Sequence, residues 1–249
     1  MSSASETGHA KNAANLENLI SFCAGYGAAY NPSKAEISLA ALTTLRTNAL
    51  NSFGTLNTAK TAFINAVNAR VSAFAPLKKL CTKIINALDA AGASDQLVKD
   101  AKSINLKIQG RRSSPKPKSP AGAVANASAS AEDKTISVSQ QSSNSLVENF
   151  AKLIELLSAE PTYSPNEADL QVSALMTTLG HLKTVNTEVI NTYTHYNNAR
   201  ITRNTILYSP MVGLVDIAGD VKKYVKSVFG AGSPQFKQLG KLVFRKVKD

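Results

Sequence analysis

The chain has 249 residues, 43% of them apolar, which is enough for one large domain or two small ones, each with a core. Lys and Arg number 28 against 17 acidic residues, so a formal net charge of +11 favours contact with phosphates or other anions. Two cysteines are too few for a disulfide scaffold, and no run approaches the roughly 18–20 apolar residues of a membrane-spanning helix.

In chain order, the opening "MSSASETGHAKNAANLEN" lacks the basic and then apolar regions of a secretory signal. A soluble, cytoplasmic protein is expected, with residues 1–12 as a flexible N-terminus. A short helix around "LENL" at Leu16 then leads to "YNPSKAE", a turn that begins at Tyr30 and contains Pro32. Ser33 and Glu36 have capping-box spacing, in which a hydroxyl accepts from an orphan amide and an acid reaches back. No proline follows until Pro76, which predicts one helix of about forty residues. Its apolar stripe (Ile37, Ala41, Leu45, Ala49, Phe53, Leu56, Phe63, Val67, Val71 and Phe74) averages nearer 3.7 than 3.5 residues per step. That spacing points to a nearly straight bundle instead of a left-handed coiled coil.

Pro76 is placed at a helix start, where the missing amide costs nothing. Leu77, Leu80, Cys81, Ile84, Ile85 and Leu88 follow on one clean face. Cys81, like Cys23 before it, is expected as a buried free thiol. "NLKIQ" then reads as a short strand, to be matched by "KLVFRK" near the end of the chain in a small two-stranded patch.

Residues 111–144 have no hydrophobic period and are rich in Ser, Pro, Ala and Lys, so a disordered linker is expected. Within it "RRSSPKPKSP" resembles the Ser-Pro-Lys-rich tails of linker histones and other chromatin proteins. The resemblance covers ten residues and implies phosphate contacts by Arg111, Arg112, Lys116 and Lys118. Read from composition alone, the segment is a tether that needs no further role.

The second half repeats the first. Sliding the chain by 133 positions brings Tyr30, Pro32, Ala35, Ala41, Leu42 and Thr44 onto identical residues in "YSPNEADLQVSALMTTL" from Tyr163. Thr61, Asn65, Ala66 and Arg70 match as well. "VENF" at Val147 mirrors "LENL", Pro165 mirrors Pro32, and Pro210 mirrors Pro76 with one residue of slip. Asn166 and Asp169 repeat the capping-box spacing, and Leu170, Ala174, Leu182, Val185, Val189, Tyr193, Tyr196 and Leu207 repeat the stripe. After Pro210, a second helix start, come Met211, Leu214, Val215, Ala218, Val221, Val225 and Val228. The fold expected is an all-α, elongated bundle of two tandem repeats, 13–110 and 145–243. Each has one long helix and shorter packing helices, and a basic tail follows at 244–249.

The residues for catalysis are scattered. His9, His181 and His195 have no Cys or acidic partner at metal-ligand spacing and are expected at the surface or partly packed. The glycine pairs in "GYG" and "GAG" lack a dinucleotide fingerprint, and no diiron pattern occurs. No enzyme, metal, cofactor or small-molecule substrate is expected. The leading expectation is a scaffold or assembly component acting by helix packing and a basic surface, on a protein partner or on itself. The alternative is a nucleic-acid-associated architectural protein using the linker and Lys78, Lys79, Lys83, Lys99, Lys102, Lys107, Lys241, Arg245 and Lys246. Stable membrane insertion is not expected. The tyrosines Tyr30 and Tyr163 are assigned structural roles at the helix junctions.

Overall fold

The computed structural model describes residues 4–111 and 141–246. Among the described residues there are α-helices and short 3-10 turns but no strand, so the all-α expectation holds. In order, α1 is Ala4–Gly25, α2 Leu39–Phe74, α3 Leu77–Ala90, α4 Asp95–Gln109, α5 Ser143–Ser158, α6 Val172–Tyr208, α7 Leu214–Phe229 and α8 Pro234–Gly240. No helix among the described residues is long and apolar enough to cross a membrane. The expected linker lies almost wholly outside the described residues.

The chain divides into two compact units, and neither is one half of the sequence. The first comprises Met1–Ile64 with Asn191–Asp249, and the second comprises Asn65–Ile190. Each unit therefore takes one end of α2 and one end of α6. In the first, Leu16, Leu19 and Cys23 of α1 meet Leu214, Ile217, Ala218, Val221 and Val225 of α7 in one core. In the second, Leu77, Cys81, Ile84 and Leu88 of α3 share a core with Phe150, Leu153 and Leu157 of α5, and α4 packs on both helices. The helix at the N-terminus begins well ahead of residue 13, and His9 and Asn12 are already buried.

The long helices are 36 and 37 residues. Neither starts at its capping box. Ala35–Ile37 form a 3-10 turn, and the helix begins afterwards with Ser38 Oγ accepting from Ala41 N. The buried positions recur every seven residues, at Leu42, Ala49 and Leu56 in the first unit and at Leu175, Leu182 and Val189 in the second. On a straight helix a seven-residue step drifts by only about 20° per heptad, so these positions stay near one side, while Ala66 and Ala199 are buried off that step. Val71 and Tyr193, both on the expected stripes, lie more than half exposed.

Two further expectations change. "NLKIQ" is the end of α4, because Val98, Ala101 and Ile108 fall on one helical face. Ser94 caps its start, and Gly110, at φ +74°, closes its end. "KLVFRK" follows α8 and forms no strand among the described residues. Pro76 directly precedes α3, whereas Pro210 sits in a turn and α7 begins only at Leu214.

Candidate functional site

Two corners draw attention, one in each unit, because both are built on a Tyr-x-Pro turn. In the first unit the buried Tyr30 hydroxyl donates to the Ile37 carbonyl at 2.6 Å. In the second, the Tyr163 hydroxyl donates to the Leu170 carbonyl at 2.9 Å. Both bonds span seven residues and tie the turn to the start of a long helix. Burial raises both phenols, Tyr163 to about 12. The structural role expected for these tyrosines is the one seen.

What faces each tyrosine differs. The buried faces of α3 and α7 superimpose in sequence as Leu77 on Leu214, Cys81 on Ala218, Ile84 on Val221 and Leu88 on Val225. That register puts Lys83 opposite Asp220 and Ala87 opposite Tyr224. In the first unit Lys34 of the turn pairs with Asp220 of α7 at 2.7 Å. In the second, Asp169 of the turn pairs with Lys83 of α3 at 3.1 Å, a turn-to-helix bridge of opposite polarity made from a turn position two residues further on. Tyr224 packs edge-on against Tyr30 at 5.3 Å, and its hydroxyl accepts from Asn31 N at 3.0 Å. In the second unit the α3 position that matches Tyr224 holds Ala87, and a cleft of about 540 Å³ lies open there, lined also by Tyr163, Ala90, Leu170, Glu167 and Asp169.

The first unit has a second feature, where α1, the turn after α6 and the end of the chain meet. Asn12 is buried, and its amide brackets the backbone of one tail residue, Arg245. Nδ2 donates to the Arg245 carbonyl at 2.8 Å, and Oδ1 accepts from Arg245 N at 3.1 Å. Asn15 Nδ2 donates to the Val243 carbonyl at 2.8 Å, and Lys222 Nζ to that of Leu242. Side-chain amides thus take the place of a neighbouring strand. Lys222 also lies 5.3 Å from the Phe244 ring, and its partial burial lowers its pKa. His9, expected near the surface, is fully buried, with Nδ1 against the Tyr208 hydroxyl.

The adjoining turn is held as firmly. Met211 has φ +68°, a region that costs a non-glycine residue roughly 1–2 kcal/mol. Its N–H donates to Asp216 Oδ2 at 3.1 Å, and Lys246 Nζ pairs with Asp216 Oδ1 at 3.0 Å. The Lys246 and Met211 contacts together hold the Asp216 carboxyl below its usual range. At Gly213 a Cβ would fall 2.6 Å from Ser209 N, so only glycine closes the turn. The result is a fixed step that presents Met211, 78% exposed, and Val212, 64% exposed, with Lys246 tied to it through Asp216 and the exposed Arg245 next to Lys246 in the chain.

Of the cations singled out from sequence, Lys246 pairs at this step, Arg245 precedes it in the tail, and Lys241 caps the end of α8. Lys78, Lys79, Lys83 and Arg111 belong to the second unit. Lys78 contacts the Gln109 carbonyl and Gln141, Lys102 pairs with Asp89, and Lys79 and Arg111 are exposed. Arg112, Lys116 and Lys118 lie outside the described residues. Pro32 and Pro165 sit in the tyrosine turns.

Sequence reasoning passed over Asn12, Asn15 and Tyr224. The signal for the first two was present: polar amides three apart, on the same side of α1 as its apolar residues. Among the described residues no group of His, Cys, Asp or Glu is placed to hold a metal ion. Both cysteines are buried free thiols, pushed up by burial to about 11 at Cys23 and about 12 at Cys81. No protein-family model, curated protein or solved structure matches the chain.

Proposed function

We propose that the protein is a non-enzymatic helical scaffold that assembles with further copies of itself. The observation that carries this reading is the Met211–Val212 step. Two large apolar side chains stand in solvent on a turn that is fixed by Asp216 and Gly213 instead of being free to collapse. Local strain retained around exposed apolar residues is a feature of contact sites. Internal duplication belongs to the same reading. The matched tyrosine bonds and the shared 133-residue offset between the buried Leu42 and Leu175 support two copies of one ancestral unit.

Light scattering over a hundredfold range of concentration tests the reading. Mass should rise above the 26.4 kDa of one chain as concentration increases. The Met211→Ser/Val212→Ser variant should stay monomeric. A wild type that remains monomeric throughout contradicts self-assembly.

A nucleic-acid role is the second reading, favoured by the exposure of Lys79, Lys99 and Arg111 on the second unit. It predicts duplex DNA binding that weakens steeply between low and physiological salt. Unchanged affinity across that range, or none, removes it.

A further inference from the structure

The exposed step of the first unit and the open cleft of the second have complementary chemistry. The step is apolar at its tip and carries an ion pair, Lys246 with Asp216, plus one more cation, Arg245, which makes no ion pair among the described residues. The cleft is apolar at Ala87, Ala90 and Leu170. It carries an ion pair, Lys83 with Asp169, plus one more anion, Glu167, likewise outside any ion pair among the described residues. Each side thus has a greasy surface and one odd charge, and the two odd charges are opposite.

The cleft is also the place where the molecule itself shows what fits. At the matching position of the first unit a large side chain, Tyr224, lies against the turn tyrosine. Ala87 leaves that place vacant against Tyr163. Beside it lies an open surface cleft of about 540 Å³. A methionine suits such a site, because its thioether adapts to irregular space and makes favourable contacts with an aromatic ring edge.

We propose that Met211 and Val212 of one copy seat in the Ala87–Tyr163 cleft of a second copy, with Arg245 facing Glu167. This rests on the self-assembly reading and adds the two surfaces and the polarity to it. The donor and acceptor surfaces differ, so the contact is head-to-tail, and each added copy leaves one step and one cleft unused. Nothing in the contact itself stops growth at two.

The test mixes two disabled variants. Met211→Ser/Val212→Ser keeps the cleft and loses the step. Ala87→Tyr keeps the step and fills the cleft as Tyr224 does in the first unit. Each alone should be monomeric by light scattering, and an equimolar mixture should form a one-to-one complex of twice the monomer mass that grows no further. Circular dichroism confirms that both variants fold. Should Ala87→Tyr fold poorly, charge reversal replaces it. Arg245→Glu or Glu167→Arg should each raise the concentration needed for assembly roughly tenfold, and the doubly reversed chain should regain it. A wild type that is monomeric overturns the self-assembly reading and this inference together. A wild type that assembles while the mixed variants do not pair, or while Ala87→Tyr still assembles alone, overturns this inference only.

Discussion

The tyrosine corners of the two units share a skeleton and differ in what fills them. Both have a buried tyrosine bonded to the carbonyl seven residues on, and both have an ion pair from the turn to the next packed helix. In the first unit Tyr224 completes the corner, whereas in the second Ala87 leaves it open. A corner that folds around either filling separates two jobs. The tyrosine bond and the helix packing hold the turn, and the side chain at the Ala87 or Tyr224 position decides whether the corner is filled or open.

The largest effect should come from unmaking the filled corner. Tyr224→Ala removes a ring from Tyr30 and the acceptor for Asn31 N, and should lower stability by about 2–4 kcal/mol in urea unfolding. Ala87→Tyr in the second unit should change stability by less than about 1.5 kcal/mol, since the added ring enters existing space. Equal losses from the two substitutions would show that the corners are not comparable.

Next in size is the tail. In the second unit α4 has 15 residues and lies against α5, while in the first α8 has only 7 and the extended tail continues along α1. Asn12→Ala leaves the Arg245 N–H and carbonyl without their bracket and should cost about 1–3 kcal/mol. Hydrogen exchange at the Arg245 amide should accelerate by at least tenfold, and an unchanged rate would mean that the bracket is incidental.

A smaller change, of opposite sign, is expected at Met211. Met211→Gly relieves the positive φ and should raise stability by about 0.5–1 kcal/mol while weakening assembly. A stabilised variant with undiminished assembly would detach the strained turn from function.

The weakest effect at neutral pH is that of the thiols. Burial raises Cys23 to about 11 and Cys81 to about 12, above the ordinary 9.0. The unfolded chain therefore gives up these protons first. Stability from the two groups is complete below about pH 9 and is lost as pH climbs from there through 11 and 12. Urea midpoints measured from pH 7 to 10.5 should be flat and then fall, and a rise above pH 9 would contradict the burial of both thiols.

Much of this was legible in the sequence. Proline-free stretches and turn residues mark both long helices to within a few positions of Leu39–Phe74 and Val172–Tyr208. The Tyr-x-Pro turns and the apolar face of α3 could be read as well, because local spacing decides them. Division into units could not. Residues 39–64 of α2 pack in the first unit and the rest in the second, and an amphipathic stripe does not say which partner covers it. The β-prone "NLKIQ" yielded to helix because its apolar residues also fit a helical face beside α3 and α5. The step at Met211 was hidden for a different reason. Pro210 reads as a helix start, but a turn closed at Gly213 and by the Met211 N–H on Asp216 intervenes, and α7 begins at Leu214.

Sedimentation velocity of Ala87→Tyr beside the wild type addresses the open corner most directly. The account predicts a wild type whose boundary moves faster as concentration rises and a variant that sediments as a single folded chain at every concentration. A variant that assembles like the wild type would show that the place beside Tyr163 receives nothing.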